Sequence, residues 1–201
     1  GSNIVLNFSE VVDVESGNLV LYKTSDNSEV ETIDVTSDQV TGGGTAQITI
    51  NPTNDLESLT EYYLKIDATA FDDPSGNSYA GINDTTSLSF ATGDTLSPTL
   101  TSSVPADDAT AVAQDSNIVL NFSEVVDVES GNLVLYKTSD NSVVETIDVT
   151  SNQVTGTGTT QITINPTNDL DSLTEYYLKI DATAFDDPSG NSYAGINDTT
   201  S

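Results

Sequence analysis

Glu10 and Asp13 lie in one short acidic stretch, Ser9-Glu10-Val11-Val12-Asp13-Val14-Glu15, and Asp67, Asp72, Asp73 and Asn77 lie in a second, later one. The same set returns 114 positions on as Glu124, Asp127, Asp181, Asp186, Asp187 and Asn191. Carboxylate and amide oxygens are ligands for hard cations, and calcium takes about six to eight of them. If both stretches are loops at one pole of a folded unit, four or more carboxylates come within reach of one ion. Calcium is therefore the expected cofactor. Asp94, in the joint between the copies, is added to the ligand set, because the pole of the second unit is expected to face it. An ion there would fix the angle between domains. The same residues also read as plain turn chemistry. Asp-Asp-Pro-Ser-Gly-Asn is a good turn sequence, with Gly76 supplying positive φ and Asn77 a side-chain bond to the backbone.

Other chemistries find little support. The chain has no Cys, His, Met or Trp. That removes disulfides, thiolate nucleophiles and the usual zinc or copper ligands, together with the commonest general base. A glycosidase-like carboxylate pair is conceivable at Glu10 and Asp73. Those residues sit on loops of a domain too small for a deep cleft, so no reaction is expected. A carbohydrate-binding module is the alternative reading, resting on Tyr22, Tyr63 and Tyr79 as sugar-stacking platforms. Tyr63 has opposite parity to Tyr62 in its strand and is expected to face outward. Lys–Asn cross-links need a buried lysine, whereas Lys65 has outward parity and Lys23 adjoins a turn. The threonines cluster in turns and linkers, so no flat ice-facing array is expected.

The net charge is −28, from four lysines and 32 acids. Lys23, Lys65, Lys137 and Lys179 are too few and too scattered to bind phosphates, so neither nucleic acid nor an anionic membrane is an expected partner. No apolar run approaches the length of a membrane span. The residues from Gly1 onward do not resemble a signal peptide, so any export signal is expected elsewhere.

Residues 2–87 recur as residues 116–201 with five differences: Glu29/Val143, Asp38/Asn152, Gly43/Thr157, Ala46/Thr160 and Glu57/Asp171. A period this long is a domain. Function that scales with copy number suits spacers and multivalent binders better than catalysts. Strand signals of period two run through Asn3–Phe8, Leu19–Tyr22, Ile33–Val35, Gln47–Ile50, Tyr62–Ile66 and Ser87–Phe90, separated by polar turns. No apolar stripe at helical spacing appears. An all-β fold of two tandem Ig-like antiparallel sandwiches is expected, as residues 1–94 and 95–201, with the boundary at Gly93–Pro98. The expected core is Ile4, Leu6, Phe8, Leu19, Leu21, Ile33, Val35, Ile48, Ile50, Leu56, Tyr62, Leu64, Ile66, Phe71 and Phe90, with their counterparts in the second copy.

Pro98–Val104 reads as an opening edge strand for the second repeat. The first repeat is expected to lack that strand, and the second to lack a closing one like Leu88–Asp94. Unpaired edges recruit other strands, so a strand-exchanged or edge-paired homo-oligomer is an expected partner state, beside neighbouring repeats of the same chain.

Leu56-Glu57-Ser58-Leu59-Thr60-Glu61-Tyr62-Tyr63-Leu64-Lys65-Ile66 resembles the segment of fibronectin type III and bacterial Ig-like domains in which a corner tyrosine bonds back to the backbone. Ala70-Phe71-Asp72-Asp73-Pro74-Ser75-Gly76-Asn77 resembles the D-x-x-G-N loop of bacterial Ig-like repeats of S-layer proteins and giant surface adhesins. Ser103–Asp107, Asn121–Glu124 and Phe90–Gly93 extend the match over essentially the whole chain. The resemblance implies a non-catalytic extender region of a bacterial cell-surface or secreted adhesin, extracellular and often stiffened by calcium.

Overall fold

The computed structural model describes residues 3–198 and contains no helix among them. Contacts divide the chain into two units, Gly1–Asp94 and Thr95–Ser201. In the first unit the strands are β1 (Ile4–Val14), β2 (Asn18–Lys23), β3 (Glu29–Asp34), β4 (Val40–Thr41), β5 (Thr45–Ile50), β6 (Glu61–Ile66), β7 (Phe71–Asp72) and β8 (Ser89–Ala91). They form two antiparallel sheets, β4-β5-β1-β7 and β3-β2-β6-β8. The second unit has β9 (Leu100–Val104), β10 (Ile118–Val128), β11 (Asn132–Lys137), β12 (Val143–Asp148), β13 (Val154–Thr155), β14 (Thr159–Ile164), β15 (Tyr176–Ile180) and β16 (Phe185–Asp186). Its sheets are β13-β14-β10-β16, with β9 also on β10, and β12-β11-β15.

Alternation builds each core. Leu19 and Leu21 from one sheet and Ile48 and Ile50 from the other are fully buried in one cluster, with Tyr62, Leu64, Ile66 and Phe71. Burying such side chains between two layers is what holds a sandwich together, at about 1.5–3 kcal/mol each. All fifteen expected core positions of the first unit belong to this cluster or pack against it. Val12, Val40, Ala70, Tyr79 and Ile82 join them. Phe8 meets the rings of Phe71 and Tyr79, each at 5.3 Å between centroids, in edge-on contacts.

Three expectations need correction. Ser9–Glu15 is not a free loop: β1 continues through it to Val14. The register slips between Asn7 and Val12, and the strand then passes from β5 to β7. Val11, Val12 and Val14 explain this, since β-branched residues favour extended backbone and Val12 is buried. Tyr63 takes the outer face of its sheet, opposite to Tyr62, but it is not a free platform. It is 2 % exposed and stacks on Tyr22 at 5.0 Å, with Lys65 Nζ 5.5 Å from the Tyr22 ring centroid. Period-two parity holds there, but a cross-strand partner and a lysine cover that face. Finally, Tyr79 is half-buried against Phe8, a core contact in place of a sugar platform.

The corner tyrosine takes its expected role. The Glu57 N–H donates to Tyr62 Oη at 2.9 Å, and the Asp171 N–H to Tyr176 Oη at 2.7 Å. Beside each, a lysine closes an ion pair, Lys23 with Glu57 at 2.6 Å and Lys137 with Asp171 at 2.7 Å. The Glu57/Asp171 difference between copies thus keeps the pair.

Candidate metal centre

The predicted ligands occupy distinct local settings. Asp67 holds a turn: its Oδ2 accepts the Asn18 N–H at 2.8 Å, and Asp181 does the same for Asn132. These carboxylates tie the β1–β2 connection, and the β10–β11 connection, to the end of the neighbouring strand.

Asp73 and Asp187 organise their own loops. Asp73 Oδ1 accepts from the N–H groups of Ser75 and Asn77, and its Oδ2 from Asn77 Nδ2 at 2.7 Å. Asp187 makes the same bonds with Ser189 and Asn191. Asn77 and Asn191 therefore act as donors to carboxylates. The bonds from Asn77 hold the Asp73 carboxyl below the ordinary carboxylate range. For Asp187 desolvation pushes upward, but the bonds from Asn191 and from the Ser189 and Gly190 N–H groups outweigh it, and the net shift is down. Asp187 is 3 % exposed and is the one buried charged side chain among the described residues.

Asp13 and Asp72 are brought together. They are directly opposed in the β1–β7 pairing, and Asp127 and Asp186 are opposed in β10–β16. Opposed residues of an antiparallel pair share a face, and like charges so placed repel. Glu10 is exposed, whereas Glu124 is half-buried. Glu124 and Asp187 bring carboxylate oxygens within 4.8 Å of one another. Two oxygens that far apart can both sit about 2.4 Å from one calcium ion. Asp94 accepts a hydrogen bond from Ser58 Oγ at 3.0 Å. Within either unit taken by itself, and among the described residues, no three acids bring oxygens that close. The donor set is nonetheless all hard oxygen, which suits calcium, and each carboxylate has lone pairs beyond those its turn uses.

Sequence reasoning missed one participant and one separate carboxylate network. Thr157 Oγ1 accepts the Val128 N–H at 3.0 Å and donates to Asp127 Oδ1 at 3.3 Å, where the first copy has Gly43. The Gly43/Thr157 difference was visible, but its place beside the acid pair depends on the hairpin folding back on β10. Glu31 accepts from Thr53 N–H and Oγ1 and from Gln39 Nε2, a network repeated at Glu145. A lone glutamate in an alternating strand gives no signal for that.

Two facing antiparallel sheets, a corner tyrosine and acidic loops at the turns define the class: an Ig-like sandwich. The family model of the bacterial Ig-like domain matches residues 1–92 and again residues 94–201, so the chain belongs to that family, twice over. The same comparisons gave no match to a curated protein or to a solved structure.

Proposed function

We propose that the two units are non-catalytic extender repeats of a large bacterial surface or secreted adhesin. They hold a terminal binding domain away from the cell, and calcium at the acidic loops raises their rigidity. The observation that carries this reading is the repetition of the scaffold itself. The Asp67–Asn18 staple, the Tyr62–Glu57 corner and the Lys23–Glu57 pair all return in the second unit. Two copies that preserve their mechanical fastenings, in a chain of net charge −28, suit a soluble tether whose reach grows with copy number. The S-layer and adhesin resemblance of the D-x-x-G-N loop supports an extracellular setting. Of the three tyrosines behind the carbohydrate-binding alternative, Tyr63 is buried against Tyr22 and Tyr79 packs on Phe8, which weighs against that reading and leaves half-buried Tyr22 alone.

Single-molecule stretching tests the proposal. Two unfolding events are expected, each releasing about 30–35 nm of chain for a unit of about 100 residues. Calcium is expected to raise the unfolding force. A single event, or events at negligible force with and without calcium, would overturn the extender reading.

A further inference from the structure

Four tripeptides of the chain have the form Asn-x-Ser/Thr with x other than Pro: Asn7-Phe8-Ser9, Asn83-Asp84-Thr85, Asn121-Phe122-Ser123 and Asn197-Asp198-Thr199. Asn51-Pro52-Thr53 and Asn165-Pro166-Thr167 are excluded by their proline. The pattern is the acceptor sequence for sugars linked to asparagine nitrogen, a modification of surface loops. The fold separates the candidates. Asn7 lies within β1, opposite Gln47 of β5, and its Oδ1 accepts from Gln47 Nε2 at 3.0 Å. Asn121 lies within β10 and is held twice: Oδ1 accepts from Gln161 Nε2 at 2.9 Å, and Nδ2 donates to Ser102 Oγ at 3.0 Å. The hydroxyl two residues on is engaged too, since Ser123 Oγ accepts the Thr99 N–H at 3.0 Å.

Asn83 differs on each point. It is exposed in the connection between β7 and β8, as are Asp84 and Thr85. The connection is fixed on both sides. Before it, Ile82 and Ile66 exchange N–H···O bonds. After it, Asp84 Oδ1 accepts the N–H groups of Thr86 at 2.8 Å and Ser87 at 2.6 Å, and Oδ2 accepts the Ser87 hydroxyl at 2.7 Å. Asp84 thereby engages the polar groups on its far side. Among the described residues, the Asn83 carboxamide and the Thr85 hydroxyl have no hydrogen-bond partner. The second repeat carries the same tripeptide at Asn197, which is also exposed, with Thr199 outside the described residues.

We propose that Asn83 is an acceptor for an N-linked sugar, donated by a glycosyl diphosphate through a transferase that reads Asn83-Asp84-Thr85. The Asn83 amide nitrogen attacks the anomeric carbon of the donor. A C–N bond forms as the bond to the diphosphate oxygen breaks, and the diphosphate leaves with the electron pair. The nitrogen gives one proton to a base of the transferase. Thr85 is the hydroxyl by which the transferase recognises the site. A free carboxamide on a fixed, exposed connection enters a transferase with no bond of its own to break, whereas Asn7 and Asn121 must first open a β ladder. The site rests on the surface or secreted setting proposed above and needs neither the extender role nor calcium.

The test incubates the folded full chain with UDP-glucose and a soluble N-glucosyltransferase in one arm. The other arm uses a lipid-linked oligosaccharide and an oligosaccharyltransferase, so the productive arm identifies the donor. Site-resolved mass spectrometry reads each asparagine. Sugar is expected at Asn83, with at least about tenfold less at Asn7 and Asn121. In a proteolytic digest of the same chain that preference is expected to disappear. Thr85→Ala is expected to abolish the sugar at Asn83 and Thr85→Ser to retain it, with the melting temperature unchanged in both, because the hydroxyl has no internal partner. No sugar on Asn83 of the folded chain in either arm overturns the proposal. So does modification of Asn7 or Asn121 as fast as Asn83, or an unchanged yield in Thr85→Ala. The extender reading fails on its own terms in the stretching experiment, where no sugar is present.

Discussion

Asp13 lies directly opposite Asp72 where β1 crosses to β7, and the second unit repeats the arrangement with Asp127 and Asp186. Two carboxylates in opposed register repel by roughly 0.2–1 kcal/mol. A bound cation turns the same arrangement from a cost into a binding site. The signs of two effects then separate. In chelator, Asp72→Asn is expected to raise the melting temperature of the first unit by a few degrees, about 0.5 kcal/mol. In millimolar calcium the wild type is expected to gain stability by mass action, and the variant to lose most of that gain. Calorimetry with and without calcium checks both. An unchanged variant in both conditions removes this pair from the site.

Tyr62 is 1 % exposed, and its hydroxyl accepts the Glu57 N–H at 2.9 Å. Tyr62→Phe keeps the ring against Phe90 but leaves that donor without its acceptor. An expected loss of about 1–3 kcal/mol follows, since an unsatisfied donor carries its desolvation penalty. Tyr176→Phe is expected to lower the second unit by less, since the Asp171 N–H that it would leave is exposed to water. The two losses should add, because the sites belong to separate units. Denaturant titration of each single variant and the double variant measures this.

Much of the scaffold was legible because it rests on local pattern. Ile48 and Ile50 alternate with Gln47, Thr49 and Asn51, Leu19 and Leu21 fall two apart in a run of strand formers, and all four are fully buried. The corner tyrosine was legible from Leu56-x-x-x-Thr60-x-Tyr62. Ser9–Glu15 was misread because a bulge breaks the alternation that marks a strand, and the new partner β7 is only two residues long. Tyr63 was misread because parity says which face a residue takes and not what covers that face. The candidate site was legible as composition only. Which carboxylates hold turns, as Asp67 and Asp73 do, is decided by backbone N–H groups brought together by folding.

Acid should unfold the chain through its hydrogen-bonded carboxylates. For Glu31 and Glu145 burial pushes the pKa up, but the bonds from Thr53 and Gln39, and from Thr167 and Gln153, outweigh it and lower it. Asp26, Asp34, Asp73, Asp84, Asp140, Asp148 and Asp187 are lowered as well. A depressed folded-state pKa contributes stability above the unfolded value, and that stability is lost as pH falls through the folded one. Relief of the −28 self-repulsion acts the other way but begins at the same protonations. The hydrogen-bonded groups take up protons first in the unfolded chain, so unfolding gains. The melting temperature is expected to be nearly flat from about pH 8 to 5 and to fall below about pH 4. Circular dichroism melts across that range check it, and a continued rise toward pH 3 would show repulsion to dominate.

Gly76 and Gly81 both follow the acidic Asp72-Asp73 pair, five residues apart, and should respond very differently to alanine. Both have positive φ, +84° and +73°. A Cβ on Gly76 meets nothing within 4 Å, so Gly76→Ala carries only the left-handed backbone penalty of about 1–2 kcal/mol. A Cβ on Gly81 falls 2.5 Å from the Ile66 carbonyl oxygen and 2.8 Å from the Ala68 nitrogen, both backbone atoms. That segment also carries the bridge between Ile66 and Ile82, which exchange N–H···O bonds in both directions. Gly81→Ala must break that bridge or displace the end of β6, and about 3 kcal/mol or more is expected. The contrast bears on the candidate site as well. Asp73 receives its loop bonds from the N–H groups of Ser75 and Asn77 on either side of Gly76. If the loop is calcium-loaded, Gly76→Ala is expected to lower calcium affinity in addition to its loss of about 1–2 kcal/mol in calcium-free stability. Calorimetric melts of both variants in chelator and in calcium separate the two roles, and equal losses in both variants would place the constraint at the loop rather than at β6.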